Sequence, residues 1–245
     1  MSDFENRINE LYNRSVNRGI YTFTDFLSPT KAEEAERIAG KGNLTLFGGC
    51  DYAERVMARF GNADELGYEE EFPIKLLKIT VSSGKFASPI THRDVLGATL
   101  NLGIERGKSG DIFVKGNEAY IFVAESVADF IAGELKTVSR NPVAVSFAES
   151  LPADFRPVTE EREISVASNR ADAVVSRLYN LSRDESSTLF KSGTVAVNGK
   201  VTEKGEKALK EGDTVTARGY GKFTFAGEGG TSKKGKLYVK LIVYR

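Results

Sequence analysis

From Asn169 to Lys200 the chain reads NRADAVVSRLYNLSRDESSTLFKSGTVAVNGK. Two short helices and a hairpin can be read in it. The first helix spans Arg170 to Tyr179 and the second Ser182 to Ser192, with Leu181 between them. Ser182 is a good N-cap, and Glu185 three residues on completes a capping box. Gly193 fits the stop of the second helix. Asn198-Gly199 is first of all a turn between two short extended pieces. Helices this short can hold Arg170, Arg177, Arg183 and Lys191 outward without burying them. The hairpin then brings Lys200 and Lys204 close by in sequence.

Outward from this block, EISVAS (163–168) precedes it as a strand. EGDTVTARGYGKFTF (211–225) and KLYVKLIVYR (236–245) follow, and their alternation indicates further strands. The charge is lopsided. Ile164 to Arg245 holds 15 Lys+Arg against 8 Asp+Glu, while the rest holds 19 against 26, in a chain whose formal net charge is zero. Such asymmetry suits a polyanion-binding end on a differently tasked body. Guanidinium forks match phosphate geometry bidentately and ammonium groups add point charge. Contacts of that kind read backbone position and helix shape, so folded RNA is the expected partner.

Residues 169–218 resemble the S4 RNA-binding domain. The resemblance rests on Arg170-Ala171-Asp172, Val175, Leu178, Ser182-Arg183, Lys191-Ser192-Gly193, Val195 to Lys200, and Gly212-Asp213. The candidate RNA-binding residues are Arg170, Arg177, Arg183, Lys191, Asn198, Lys200 and Lys204. Arg218, Tyr220 and Lys222 extend that face. Asp172 reads as a structural partner or cap. The run 218–225 nearly matches an RRM signature, but Lys222 stands where an aromatic belongs. Phe223 and Phe225 are expected in the core, and Tyr220 is open to either reading, base stacking or packing.

The middle of the chain has a clear order of elements: KLLKITVSS (75–83), a helix from His92 to Ile104, strands 111–116 and 119–124, a helix over 126–138, and a strand over 143–149. That β-α-β-β-α-β order predicts an antiparallel sheet with two helices on one face, ferredoxin-like or RRM-like. His92, Arg93, Arg106 and Lys108 form a candidate second RNA surface, since a helix start favours anions. Before residue 70 the chain reads as mainly helical. Ile8, Leu11, Tyr12, Val16 and Ile20 recur at helical spacing, a second helix starts near Ser28-Pro29-Thr30, and DYAERVMARF (51–60) is a third. Leu44–Phe47 reads as a strand. The expected architecture is α+β: an N-terminal portion over 1–69, an RRM-like domain over 70–150, a linker over 151–163 carrying Pro152 and Pro157, and an S4 domain over 164–245.

A wider resemblance spans most of the chain. Phe47 to Arg55, His92 to Gly97, Asn101 to Ile104, Gly110 to Ile112 and Arg218 to Gly221 look like the YlmH family of bacterial S4 proteins. The resemblance implies a non-enzymatic role near the large ribosomal subunit and peptidyl-tRNA, with rRNA and tRNA as partners and a link to division proteins. A monomer in the cytoplasm is expected. Cys50 stands where an aromatic is expected in many relatives and is assigned no function.

Other classes find little support. With only Cys50 and His92, neither an intramolecular disulfide nor a Cys/His zinc site can form. No apolar run is long enough to span a bilayer, and the N-terminus carries no signal-peptide core. Gly103 to Ser109 resembles a P-loop with one residue too few, and Gly107-Lys108-Ser109-Gly110 resembles a KH loop but leads into a strand. An RNA-modifying enzyme carried by an S4 domain is the alternative, with Glu54, Asp94 and Asp111 as its candidate carboxylates. A protein-binding division factor is the third reading. No cofactor or metal is expected.

Overall fold

The computed structural model describes residues 2–40, 42–82, 88–231 and 235–244. Ser83 and Arg245, expected at strand ends, lie outside the described residues. The fold is α+β and divides into two units, 1–156 and 157–245, each taken by itself.

In the first unit α1 (Asp3–Arg18) is capped by Ser2, whose hydroxyl accepts from the Glu5 amide, and ends at Gly19 in the left-handed region. Ile8 and Leu11 are buried, whereas Val16 is 60% exposed. β1 (Thr22–Phe23) leads to α2 (Pro29–Ala39), which Ser28 caps with Pro29 at its first position. β2 (Leu44–Phe47) and β3 (Met57–Phe60) complete a three-stranded sheet of order β1-β3-β2. The helix expected over 51–60 is therefore corrected to a turn and a strand. All four residues of β3 are buried, so it shows no polar face. Ala58 and Phe60 pack toward Ile8, Leu11 and Ala35. Met57 joins the cluster on the other side, with Phe26 and Phe122. A short strand buried on both faces has no period that separates it from a helix. The one-turn α3 (Ala63–Leu66) follows.

Next come β4 (Ile74–Val81), α4 (His92–Asn101), β5 (Ser109–Lys115), β6 (Glu118–Ala124), α5 (Glu125–Glu134), β7 (Thr137–Val138) and β8 (Asn141–Ala148). Their sheet has the order β5-β6-β4-β8-β7 and every pairing is antiparallel. Leu77, Ile79, Ile121 and Val123 face Val95, Ala128 and Ile131 of the two helices. Part of the opposite face is covered too, while Ala144 and Ser146 on it stay exposed. Leu76, Tyr120, Phe122 and Ala124 are buried with Phe26, Met57, Leu151 and Phe155. Gly49 makes this closeness possible: with φ +98°, a Cβ there would lie 2.3 Å from the Phe122 ring.

The second unit comprises β9 (Thr159–Val166), α6 (Ala171–Leu178), α7 (Arg183–Lys191), β10 (Val195–Val197), β11 (Lys200–Val201), β12 (Thr214–Ala217), β13 (Gly221–Thr231) and β14 (Leu237–Tyr244). Its strands form one antiparallel sheet, β11-β10-β12-β13-β14-β9. Ala171, Val174, Val175 and Leu178 of α6 and Phe190 of α7 close the core over Val195, Val215, Phe223 and Phe225. The stretch 151–163, expected as a linker, is corrected on both sides. Leu151 and Phe155 are core residues of the first unit, and Thr159 to Glu163 pair with Tyr244 to Lys240 in β14. Its prolines and charges masked a strand whose partner lies some eighty residues later.

Candidate nucleic-acid interface

The second unit holds a cavity of about 590 Å³ walled by α6, the start of α7 and the end of β9. Arg170, Arg177 and Arg183 line it, together with Lys236 and four serines. Local folding explains the convergence. Arg170 is the N-cap of α6, and Arg177 lies two helical turns later. Arg183 opens α7, where the Ser182 hydroxyl accepts from the Glu185 amide at 3.2 Å and the Glu185 carboxylate accepts from the Ser182 amide at 2.7 Å. That box holds the Glu185 carboxyl below its ordinary pKa. The Ser186 hydroxyl donates to the Asp172 carbonyl at 2.8 Å and ties the two helices together.

The cations are not equivalent. Arg170 forms a two-pronged pair with Asp172, Nε to Oδ1 at 3.0 Å and Nη2 to Oδ2 at 2.6 Å. Asp172 is thus a partner that orients the guanidinium while offsetting its charge, and the pairing raises the Arg170 pKa. Arg177 and Arg183 are exposed, and among the described residues no carboxylate lies within ion-pair distance of either. Asp184 also lines the cavity, so the cations hold a majority rather than a monopoly.

Lys236 was not singled out by the sequence. It stands at the head of β14, whose Leu237 pairs with Val166 of β9. Its segment shows only strand alternation, and nothing local signals a pairing across seventy residues.

The remaining expected residues lie elsewhere in the unit. Lys191 ends α7, eight residues and about 12 Å along the helix from Arg183. Lys200 is exposed on the edge strand β11, and Lys204 is exposed in the loop that follows. Asn198 is committed to the turn: its φ is 51°, its amide donates to Asp213 Oδ1 at 2.9 Å, and its oxygen accepts from the Thr214 amide at 2.8 Å. Arg218 is exposed, and its backbone N–H donates to the Thr194 carbonyl at 2.9 Å. Tyr220 is 46% exposed, 5.6 Å between ring centroids from Tyr179. The Lys222 ammonium sits 4.3 Å over the Tyr244 ring. Phe223 and Phe225 are buried, as expected. The Tyr179 hydroxyl is buried with no hydrogen-bond partner among the described residues, and burial pushes its pKa up to about 12.

The second expected surface, in the first unit, is largely built into the fold. Arg106 Nη1 donates to the Ser109 carbonyl at 2.5 Å and hydroxyl at 2.8 Å. Lys108 pairs with Asp25 at 2.6 Å. Arg55 donates to the carbonyls of Ser109, Phe26 and Arg106, and burial with the neighbouring Arg106 charge lowers its pKa to about 10. Burial, then the Arg106 charge, holds the His92 imidazole below its ordinary pKa. Arg93 instead lines a smaller cavity of about 380 Å³ with Asp94, Glu134 and Lys136.

Asp94 and Asp111, two of the carboxylates considered for catalysis, have structural partners. Asp94 completes the capping box of α4 with Thr91. Asp111 accepts from the Glu54 and Arg55 amides at 2.5 and 3.3 Å, and burial pushes its pKa up. Among the described residues no group of three His, Cys, Asp or Glu could hold a metal, and no helix is long and apolar enough to cross a membrane.

Residues 68–150 match the family model described as "Putative RNA-binding domain in YlmH". The matched stretch is the central β-α-β-β-α-β segment. The chain is 32% identical over 219 residues to the ribosome-associated protein quality control protein P2 of Bacillus subtilis, covering 88% of this chain and 84% of that protein. Among solved structures, the cell division protein ylmH from Streptococcus pneumoniae aligns with a TM-score of 0.47 at 24% identity, over 59% of this chain and 88% of that one.

Proposed function

Because the chain belongs to the YlmH family, we propose that it is a non-enzymatic, cytoplasmic protein that binds structured RNA on the ribosome. We read the second unit as an S4 domain and its α6/α7 cavity as the seat of the RNA backbone. The observation that carries this reading is the convergence of Arg170, Arg177, Arg183 and Lys236 on one cavity. Arginine forks and serine hydroxyls together suit phosphate oxygens, which accept several donors at once. The name of the Bacillus relative, ribosome-associated, agrees in class with such a partner. The large subunit, with rRNA and tRNA as the contacted molecules, is the specific target proposed.

The central segment, which the family model describes as RNA-binding, has a role of a different kind. Its aromatic sheet face is covered, so stacking of bases on Tyr120 or Phe122 requires the N-terminal segment to leave. Arg93 and Lys136, which line one cavity with Asp94 and Glu134, are the cations we assign to RNA there.

Co-sedimentation with isolated ribosomal subunits tests the proposal. An Arg177→Glu/Arg183→Glu variant is expected to lose co-sedimentation with large subunits at moderate salt while keeping its circular-dichroism spectrum. A folded variant that still travels with the large subunit overturns the assignment of this cavity.

A further inference from the structure

The first unit carries a cavity of about 940 Å³ between β2, the start of β4 and the end of β8. Its walls include Phe47, Phe72, Leu76 and Phe122. Phe47 is 37% exposed and packs against Phe72 at 5.4 Å between ring centroids. Three exposed carboxylates, Glu69, Glu71 and Glu149, stand around it. The two cations that also line it are committed. Lys75 pairs with Glu125 at 2.9 Å. Arg59 is 8% exposed, donates to the Glu70 carbonyl and to Glu69, and lies beneath the rings of Tyr21 and Phe72. The cavity is therefore apolar within and acidic at its rim.

One wall is a strand edge. Among the described residues β2 pairs with β3 and with no other strand. Along it Thr45 and Phe47 are exposed while Leu44 and Leu46 are half-buried. An unpaired edge offers backbone donors and acceptors to an added strand, and alternate side chains of that strand supply specificity.

We infer that this groove docks an extended basic segment of a partner protein, added as a fourth strand on β2. Its alternate apolar side chains fill the Phe47–Phe72 wall, and its lysines or arginines meet Glu69, Glu71 and Glu149. The sign of the rim decides against RNA, because phosphates would approach Glu71 and Glu149 while the cations described in the lining, Arg59 and Lys75, are paired with Glu69 and Glu125. The inference does not rest on the RNA reading of the second unit.

The test uses the full chain and a fluorescein-labelled ten-residue peptide alternating Lys and Val. Controls are its Glu/Val counterpart, a version N-methylated on alternate amides, and a ten-residue oligouridine as competitor. Anisotropy should show binding of the Lys/Val peptide alone, and hydrogen exchange should slow at the Leu44–Phe47 amides. A Glu71→Lys/Glu149→Lys variant, which alters exposed side chains only, should weaken the peptide at least tenfold, and Phe47→Ser should weaken it independently. Both variants should keep wild-type affinity for RNA. Equal binding of the N-methylated peptide, no added protection at 44–47, an indifferent double variant, or displacement of the peptide by oligouridine each overturns the inference.

Discussion

Replacing Arg177 and Arg183 together by Gln should flatten the salt dependence of RNA binding by a calculable amount. Each cation that neutralises one phosphate contributes about 0.7 to 0.9 to the slope of log affinity against log salt. Neither arginine has a described carboxylate partner, so each should contribute in full. The pair then accounts for a slope of roughly 1.4 to 1.8. Between 50 and 200 mM salt the logarithm changes by about 0.6, so wild-type protein should lose about tenfold more affinity than the double variant over that range. Arg170→Gln should change the slope by clearly less than one such unit, because Asp172 already balances its charge in the free protein. Fluorescence anisotropy with unfractionated tRNA, at four salt concentrations, measures all three slopes. A double variant with the wild-type slope would falsify the cavity as the phosphate seat. An Arg170→Gln slope change of one full contact, about half that of the double variant, would show that the Asp172 pair opens on binding.

Ser182→Ala removes the N-cap of α7 and should lower the stability of the second unit by about 1 kcal/mol, read as a lower urea midpoint at constant slope; an unchanged midpoint shows that the cap does not anchor the helix that presents Arg183. Gly49→Ala places a methyl 2.3 Å from the Phe122 ring at a positive φ. It should cost about 2–4 kcal/mol in the first unit, through overpacking and left-handed strain, and a thermal midpoint within a degree of wild type refutes the close approach. His92 is the single histidine, so its proton resonance is unambiguous. Its folded pKa lies below the unfolded value of 6.5, so the unfolded chain binds the extra proton first. Stability should be full above pH 6.5, fall as pH drops toward the folded pKa, and lose that dependence in His92→Asn; a titration midpoint above 6.5 contradicts the burial against Arg106.

The parts of the fold legible in the sequence are those whose signal is local. Ser28 and Ser182 mark helix starts by short-range chemistry, and the caps stand at those residues. The β-α-β-β-α-β order was readable even though β6 is buried on both faces, because the Gly116-Asn117 turn marks its start and its pairing with β5. β3 failed because burial on both faces removes the period, leaving a composition that suits either element. β9 failed because Glu160, Glu161 and Glu163 look like a solvated linker until β14 is seen to pair with it. The same limit applies to the site. Arg170, Arg177 and Arg183 share a cavity because two adjacent helices dictate it, whereas Lys236 joins through sheet pairing. Asn198 carried both readings in the sequence, and its two hydrogen bonds across the turn favour the structural one.

Charge over the two units carries a further consequence. Counted by the structural boundary, 157–245 holds 16 basic and 11 acidic residues, and 1–156 holds 18 and 23. The excess of five in the second unit is modest, so average charge alone would give weak attraction for a polyanion. What matters is placement: two arginines without described carboxylate partners line one cavity, where Asp172 is paired with Arg170, while Glu163 of β9 stands opposite Lys240 and Glu160 pairs with Arg162. In the first unit the logic inverts. Its arginines at 55, 59 and 106 are turned inward and donate to backbone carbonyls, and the rim of the cavity beside β2 is left to Glu69, Glu71 and Glu149. Such arginines raise the basic count of the unit without raising its attraction for phosphate. A count of basic residues therefore overstates the affinity of this unit for RNA, and the hydrogen bonds each guanidinium already makes are what decide which unit meets the polyanion.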